Sequence, residues 1–367
     1  MSWEKNVRKV EPYVAGEQPK DPEIIKLNTN ECPYPPSSAV RVAAIQLADH
    51  YDRLRLYPDM DATTLVNALS EYYHVDPAKI FVGVGSDDVL AMSFLTFFCG
   101  GGSVLFPDIT YSFYDVWAEL YRIPYVQVPL DEKFELRPQD YISGAGGALD
   151  EVVKKTGTEP GGIIFPNPNA PTGVAQPLEQ IEEIIKSNPD CVVIVDEAYV
   201  DFGAPSALPL IDKYENLLVV QTFSKSRAMA GLRIGCAFGS EKLIGYLKDA
   251  KFSFNSYTMN LPAIMLGTAA AKDASYFHDI VAKVVNTREW FKKELTRLGF
   301  EFPDSQANFV FARHPQMPGA ELFAKLRDKK ICVRYFNKPR INDYLRITIG
   351  TDAQMRAVVK ALEEILG

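Results

Sequence analysis

The chain lacks the patterns of a disulfide scaffold, a zinc protein or a membrane protein. Its five cysteines, Cys32, Cys99, Cys191, Cys236 and Cys332, are odd in number and scattered without CxxC spacing, so neither a disulfide framework nor a metal site is expected. Four of them lie in or beside apolar segments, where a buried free thiol is the expected state. No uncharged run approaches the roughly 20 residues of a membrane span. Residues 1–10 carry Glu4, Lys5, Arg8 and Lys9 with no apolar core behind them, which argues against a secretory signal and leaves a reducing cytoplasm as the expected compartment. There is no excess of basic charge: the formal net charge is −8 and the pI near 5.2. This argues against a general nucleic-acid or acidic-membrane surface, and any anionic ligand must be held by a few local arginines. No internal period suggests a solenoid, and the 25 prolines and 23 glycines are spread between periodic segments, so long disorder is not expected.

With 367 residues, 47% hydrophobic and 23% charged, the chain has the composition of a globular protein of one large or two medium domains. Residues 1–38 are proline-punctuated and read as an extended arm. Helices are predicted over 39–49, 61–74 and 87–98, and strands over 80–84, 103–106, 125–128, 162–165, 191–195, 217–220 and 234–238. Helical stretches separate most of these strands, and several are continuously apolar, as in a parallel sheet covered on both faces. The expected fold is α/β: a three-layer α/β/α large domain over 39–250 with a mainly parallel sheet and ligands at the strand carboxyl ends. From 251 the pattern changes to helices over 258–271 and 275–298, strands near 307–312 and 344–349 around a helix at 319–329, and a final helix at 352–366. That predicts a smaller α+β domain over 251–367.

Four pieces at predicted strand ends carry chemistry. Gly83-Val84-Gly85-Ser86-Asp87-Asp88 follows one strand and opens a helix, so the N–H groups of Gly85, Ser86 and Asp87 converge as in phosphate sites. It is neither GxGxxG nor a P-loop, and a plain turn capped by Ser86 fits the same letters. Phe165-Pro166-Asn167-Pro168-Asn169-Ala170-Pro171-Thr172-Gly173 is a rigid turn in which Asn169 has an amide to offer, although such segments are usually turns and nothing more. Asp196-Glu197-Ala198-Tyr199 puts an acid at the end of a buried strand, where a carboxylate is costly without a cation. A protonated pyridine nitrogen is one such cation, and a neighbouring arginine is another. Thr222-Phe223-Ser224-Lys225 delivers a lysine into a hydroxyl-rich turn, 29 residues after Asp196 and eight before Arg233. A lysine so placed suits Schiff-base chemistry; two hydroxyls and a guanidinium suit phosphate oxygens.

With these motifs in this order, and Ala-Gly-Leu-Arg-Ile-Gly at 230–235, the chain resembles the fold-type I, pyridoxal-phosphate-dependent aminotransferases. The resemblance extends from the arm at 28–35 to Tyr344-Leu345-Arg346-Ile347-Thr348-Ile349-Gly350. It implies pyridoxal 5'-phosphate as cofactor, bonded to Lys225, which also shuttles the proton of the substrate's α-carbon. Asp196 is implied to hold the pyridinium proton, Asn169 and Tyr199 to bond the phenolic oxygen, and Tyr111 to stack on the ring. Ser86, Asp87, Thr222, Ser224 and Arg233 would surround the phosphate, Asp87 through its backbone N–H because its carboxylate would repel. Tyr57, in Arg55-Leu56-Tyr57-Pro58-Asp59, matches a tyrosine that reaches the phosphate from a partner subunit, so a homodimer is implied. Arg346 would clamp the α-carboxylate of glutamate and Arg334 the phosphate of L-histidinol phosphate, with Tyr34 a further substrate contact; strand-end arginines that are merely solvated are the plain alternative. The implied reaction is a ping-pong transfer between histidinol phosphate and 2-oxoglutarate in histidine biosynthesis. Two departures stand out: Asp88 where many relatives carry glutamate, and Asn-Ala-Pro for the commoner Asn-Asn-Pro. An aromatic aminotransferase or a threonine-phosphate decarboxylase is the near rival, and a non-catalytic nucleotide-binding α/β protein the distant one.

Overall fold

The computed structural model describes Ser2–Gly367. The arm contributes β1 (Ile25–Lys26) and leads into α1 (Ser38–Asp49) and α2 (Thr63–Tyr73). The main sheet follows with its helices: β2 (Ile80–Gly83), α3 (Ser86–Phe97), β3 (Val104–Pro107), α4 (Tyr114–Tyr121), β4 (Tyr125–Val128) and α5 (Ala148–Thr156). It continues with β5 (Gly162–Pro166), α6 (Leu178–Ser187), β6 (Val193–Asp196), β7 (Leu217–Thr222), β8 (Gly235–Gly239) and α7 (Glu241–Phe254). Then come α8 (Leu261–Lys272), α9 (Ala274–Arg297), β9 (Phe309–Ala312), α10 (Gly319–Asp328), β10 (Ile331–Cys332), β11 (Arg334–Tyr335), β12 (Leu345–Thr348) and α11 (Asp352–Leu366).

The main sheet has the order β2-β8-β7-β6-β5-β3-β4. Strands β3 to β7 pair parallel, and β8 alone runs against its neighbours β7 and β2. The expected α/β architecture with a mainly parallel sheet is present, and β8 is the one reversal. Every residue of β5, β6 and β7 is buried, which is why these strands read as unbroken apolar runs and not as alternating ones. The reversal matters for function. Gly235, the first residue of β8, stands opposite Gly83 and Thr222, the last residues of β2 and β7. The residues just before β8, Arg233 among them, are thereby delivered to the carboxyl edge that the other strands approach from behind.

Helices cover the sheet through one apolar stripe each. In α6, Ile181, Ile184 and Ile185 are buried at the i, i+3, i+4 spacing of one face, each contributing roughly 1.5–3 kcal/mol of burial. Helix α7 passes through position 250 unbroken, and α8 packs on α1 and α2, adding Ala263, Ile264, Ala270 and Ala271 to the core that contains β5 to β7. A second core forms around the β11-β12-β9 sheet, with Phe291 and Leu295 of α9 and Met355, Val358 and Leu362 of α11. The arm is sewn to this second body: β1 pairs with β10, and Thr348 N–H donates to Leu27 O at 3.0 Å. Among the described residues no helix is long and apolar enough to cross a membrane.

Candidate active site

The loops leaving β2, β3, β5, β6 and β7 and the turn entering β8 border a cavity of about 370 Å³, lined by Ser86, Asp87, Tyr111, Asp196, Tyr199, Thr222, Ser224, Lys225 and Arg233. A second cavity of about 240 Å³ opens from it, shares Lys225, Tyr111 and Tyr199, and ends at Arg334 and Arg346. Lys225 therefore faces both. Its Nζ donates to Thr29 O at 3.0 Å and sits 5.9 Å over the Tyr199 ring. Burial first, then the charge of Arg346, bring the amine down to about 8. A lysine in that state is partly neutral near physiological pH, as a nucleophile or base requires.

Asp196 closes the cavity from behind. The Tyr114 hydroxyl donates to its carboxylate at 2.8 Å and the Ala198 N–H at 3.2 Å. Both donors are neutral. Burial pushes the carboxyl up to about 6 against those two bonds, and Asp87 adds to the rise. Tyr199, itself buried, accepts from Asn30 Nδ2 at 2.9 Å, which leaves its own proton available. Asn169 is buried with Nδ2 donating to Ile109 O and Thr172 Oγ1, and its Oδ1 has no partner. The Nδ2 that a ligand oxygen would take is engaged by these two protein oxygens.

At the other end, α3 begins after Gly85 with no side-chain cap. Gly85 has φ +88°, and a Cβ there would meet Arg233 Nη2 at 2.5 Å, so glycine is required for the arginine to approach. Ser86 is the first helical residue and not the cap. Thr222 Oγ1 donates to Ser224 Oγ at 3.0 Å, and Arg233 Nη1 reaches the same oxygen at 3.4 Å. The Asp87 carboxylate is not turned away: it takes Arg233 Nη2 at 2.9 Å and the Tyr111 hydroxyl at 2.8 Å. Expecting only its backbone N–H to matter missed this pairing.

Arg334 and Arg346 stand directly opposite each other across β11 and β12. Like charges in such a pair repel, and burial lowers the Arg346 pKa, Arg334 lowering it further. Arg346 donates from Nη2 to Asn28 O at 2.9 Å, while its Nε is buried without a partner. Two guanidiniums so placed call for an anion between them and the lysine.

Asn169 lines neither cavity, its neighbour Ala170 lining both, and two further expected residues lie elsewhere. Tyr34 packs against the second core with Lys283 over its ring at 5.5 Å and lines neither cavity. Tyr57 is 81% exposed, stacks on Tyr257 at 4.4 Å, and lines a separate surface cavity with Leu56 and Met265. Sequence reasoning passed over Tyr114, the hydroxyl on Asp196, and the arm residues Gln18, Thr29 and Glu31 that close the first cavity. Tyr114 lies three residues after Tyr111, on the same face of one turn, which was the available signal.

The family model for aminotransferase class I and II matches residues 22–362. The histidinol-phosphate aminotransferase of Lactococcus lactis subsp. cremoris is 50% identical over 366 residues, covering 100% of this chain and 98% of that protein. The enzyme of that name from Acinetobacter baumannii is 49% identical, covering 99% and 96%. The crystal structure of histidinol-phosphate aminotransferase from Sinorhizobium meliloti in complex with pyridoxal-5'-phosphate superposes with a TM-score of 0.81 at 23% identity, over 94% of this chain and 90% of that one; at that identity it supports the fold.

Proposed function

Because the chain belongs to the aminotransferase class I and II family, we propose that it moves an amino group between L-histidinol phosphate and 2-oxoglutarate, with pyridoxal 5'-phosphate as cofactor, as a homodimer in the cytoplasm. The observation that carries the reading is the two-ended cavity with one half-buried lysine at its middle. One end fits a phosphorylated pyridine: an uncapped helix start, two hydroxyls and Arg233 for the phosphate, and a buried carboxyl with only neutral donors for the ring nitrogen. The other end carries the opposed pair Arg334 and Arg346, which suits substrates that bear an anion at each end.

The cofactor, when bound, supplies an electron sink for the bonds at the substrate's α-carbon. Each protein group then has a defined task. Lys225 takes and returns the proton of the α-carbon. Asp196, fixed by Tyr114, holds the proton on the ring nitrogen, where a cation also relieves its own burial. Tyr199 donates to the phenolic oxygen, with Asn169 beside it. Ser86, Asp87 N–H, Thr222, Ser224 and Arg233 hold the phosphate, and Arg233 must share itself between that phosphate and the Asp87 carboxylate. Arg346 orients the α-carboxylate and Arg334 the distal anion, while Gln18, Thr29 and Glu31 of the arm border the cavity that holds the cofactor. Tyr34 remains a proposed substrate contact only through movement of the arm, and Tyr57 a phosphate contact made in a partner subunit. The organisation that goes with this reading is an arm over 1–38, a large cofactor-holding body and a smaller body around the β11-β12-β9 sheet; α7 and α8 extend the large body past residue 250.

A donor assay tests the substrate. Histidinol phosphate should be preferred over phenylalanine, tyrosine and aspartate. Arg334→Leu should cost roughly 1.5–3 kcal/mol in kcat/KM for histidinol phosphate, the range for a hydrogen bond to a charged group, and less for phenylalanine. Equal losses for both donors, or a parent enzyme that prefers phenylalanine, would exclude the phosphate role.

A further inference from the structure

Two residues past the lysine lies Arg227, an arginine that the cofactor site does not use. It is 5% exposed. Its Cζ lies 4.5 Å from the Tyr72 ring centroid, 4.2 Å from that of Phe277 and 5.0 Å from that of Phe223. Nη1 donates to Ala270 O at 3.2 Å. These partners sit on α2, α9, the lysine loop itself and α8. A guanidinium has a planar face that stacks on aromatic rings, which an ammonium lacks, so the arginine joins helices that share no backbone bonds with the loop.

The loop is built to be held in this way. Between Thr222 and Arg233 the chain folds back on itself: Met229 N–H donates to Phe223 O at 3.0 Å and Ala228 N–H to Lys225 O at 3.4 Å, and Ala228 has φ +57°. Ser226, between the lysine and the arginine, donates to the Asp201 carboxylate. Burial works against the Arg227 charge, and Tyr73 and Asp201 more than offset it. Tyr73 also donates to Gln221 Oε1 at 2.6 Å, and Gln221 Nε2 donates to Glu197 at 2.9 Å. Glu197 follows Asp196 directly. The same packing that fixes the arginine thus also reaches the strand end that carries the acid.

We propose that Arg227 is the positioning residue for Lys225: clasped between Tyr72 and Phe277, it fastens the lysine loop to α2, α8 and α9 and so sets where the amine points. The proposal rests on Lys225 being the reactive amine. Its consequence is that loosening Arg227 slows chemistry at the lysine without removing any group that touches substrate or cofactor.

The test compares Arg227→Lys and Arg227→Met with the parent, all kept well below their melting temperatures. The readouts are the rate at which ligand-free protein captures pyridoxal phosphate, the pH midpoint of the bound-cofactor absorbance, and kcat and KM separately. Arg227→Met should capture cofactor at least about tenfold more slowly and lose about tenfold or more in kcat with KM within about threefold. Its absorbance midpoint should differ from the parent's by about half a pH unit or more, since a loosened loop changes the surroundings of the lysine nitrogen. Arg227→Lys should fall between the two. If Arg227→Met does not fold, Tyr72→Leu, which removes one face of the clasp, is read the same way. A folded variant that is only less heat-stable, with capture rate, midpoint and kcat unchanged, overturns the proposal. Failure of the parent to trap cofactor on Lys225 is a different result, since it removes the underlying reading and not the clasp.

Discussion

Asp196 gives up solvation and receives no cation from its two neutral donors, so its carboxyl rises from 3.8 to about 6. A carboxyl with a raised folded pKa holds its extra proton in the folded chain. Its contribution to stability is complete below the unfolded value and is lost as pH rises through about 6. The shift is on the order of 3 kcal/mol between the two limits. Ligand-free Asp196→Asn should therefore be more stable than the parent at pH 7.5 by roughly 1–3 kcal/mol, the gap closing below about pH 4, as urea unfolding at the two pH values will read. The same variant should hold pyridoxal phosphate poorly; stability differences that ignore pH would contradict the buried-acid argument. At this scale the sequence was legible wherever a strand ended. Lys225, Asp196, Thr222 and Ser224 meet in one wall because parallel strands bring their carboxyl ends to one edge. Tyr114, Thr29 and Gln18 were not legible, because they enter the wall from a helix face and from an arm whose path depends on the second body. Tyr34, on the same arm, lies outside both cavities.

Among the elements, β8 decides the site. An apolar run marks a strand but carries no direction, so its position at 234–238 was readable while its reversal was not. The reversal brings Gly235 against the turn that starts α3: a Cβ on it would lie 2.3 Å from both Gly85 C and Ser86 N. That contact is with backbone, which cannot swing aside. Gly235→Ala should push the α3 start out of line, cost roughly 1–3 kcal/mol of stability as overpacking does, and weaken cofactor binding by about tenfold or more. Calorimetric titration of the ligand-free variant measures the second effect, and unaltered affinity would contradict a phosphate site at this turn. The long helices α9 and α11 were readable from their periodicity, whereas β10 and β11, two residues each, were too short to leave a pattern.

The whole molecule presents an apolar surface that a lone chain has no use for. Val42, Ile45, Leu54, Leu56, Tyr57 and Phe254 are each more than half exposed, and Leu56 and Tyr57 line a surface cavity with Ala43, Gln46 and Met265. Exposed apolar residues of this kind are candidates for an interface, and the proposed homodimer would use them, with Tyr57 as the proposed contact to the partner's phosphate end. Ile45→Glu with Leu54→Glu should yield monomers in analytical ultracentrifugation and weaken cofactor retention at the same time. Monomers that retain cofactor and turnover unchanged would contradict a shared site. The central claim, that one buried amine takes the cofactor, is tested most directly on the intact chain by borohydride reduction of the cofactor-loaded protein followed by peptide mass spectrometry. A single pyridoxyl-phosphate mass on the peptide containing Lys225 is the predicted result. The mass on another lysine, or on none in fully loaded protein, would contradict the account.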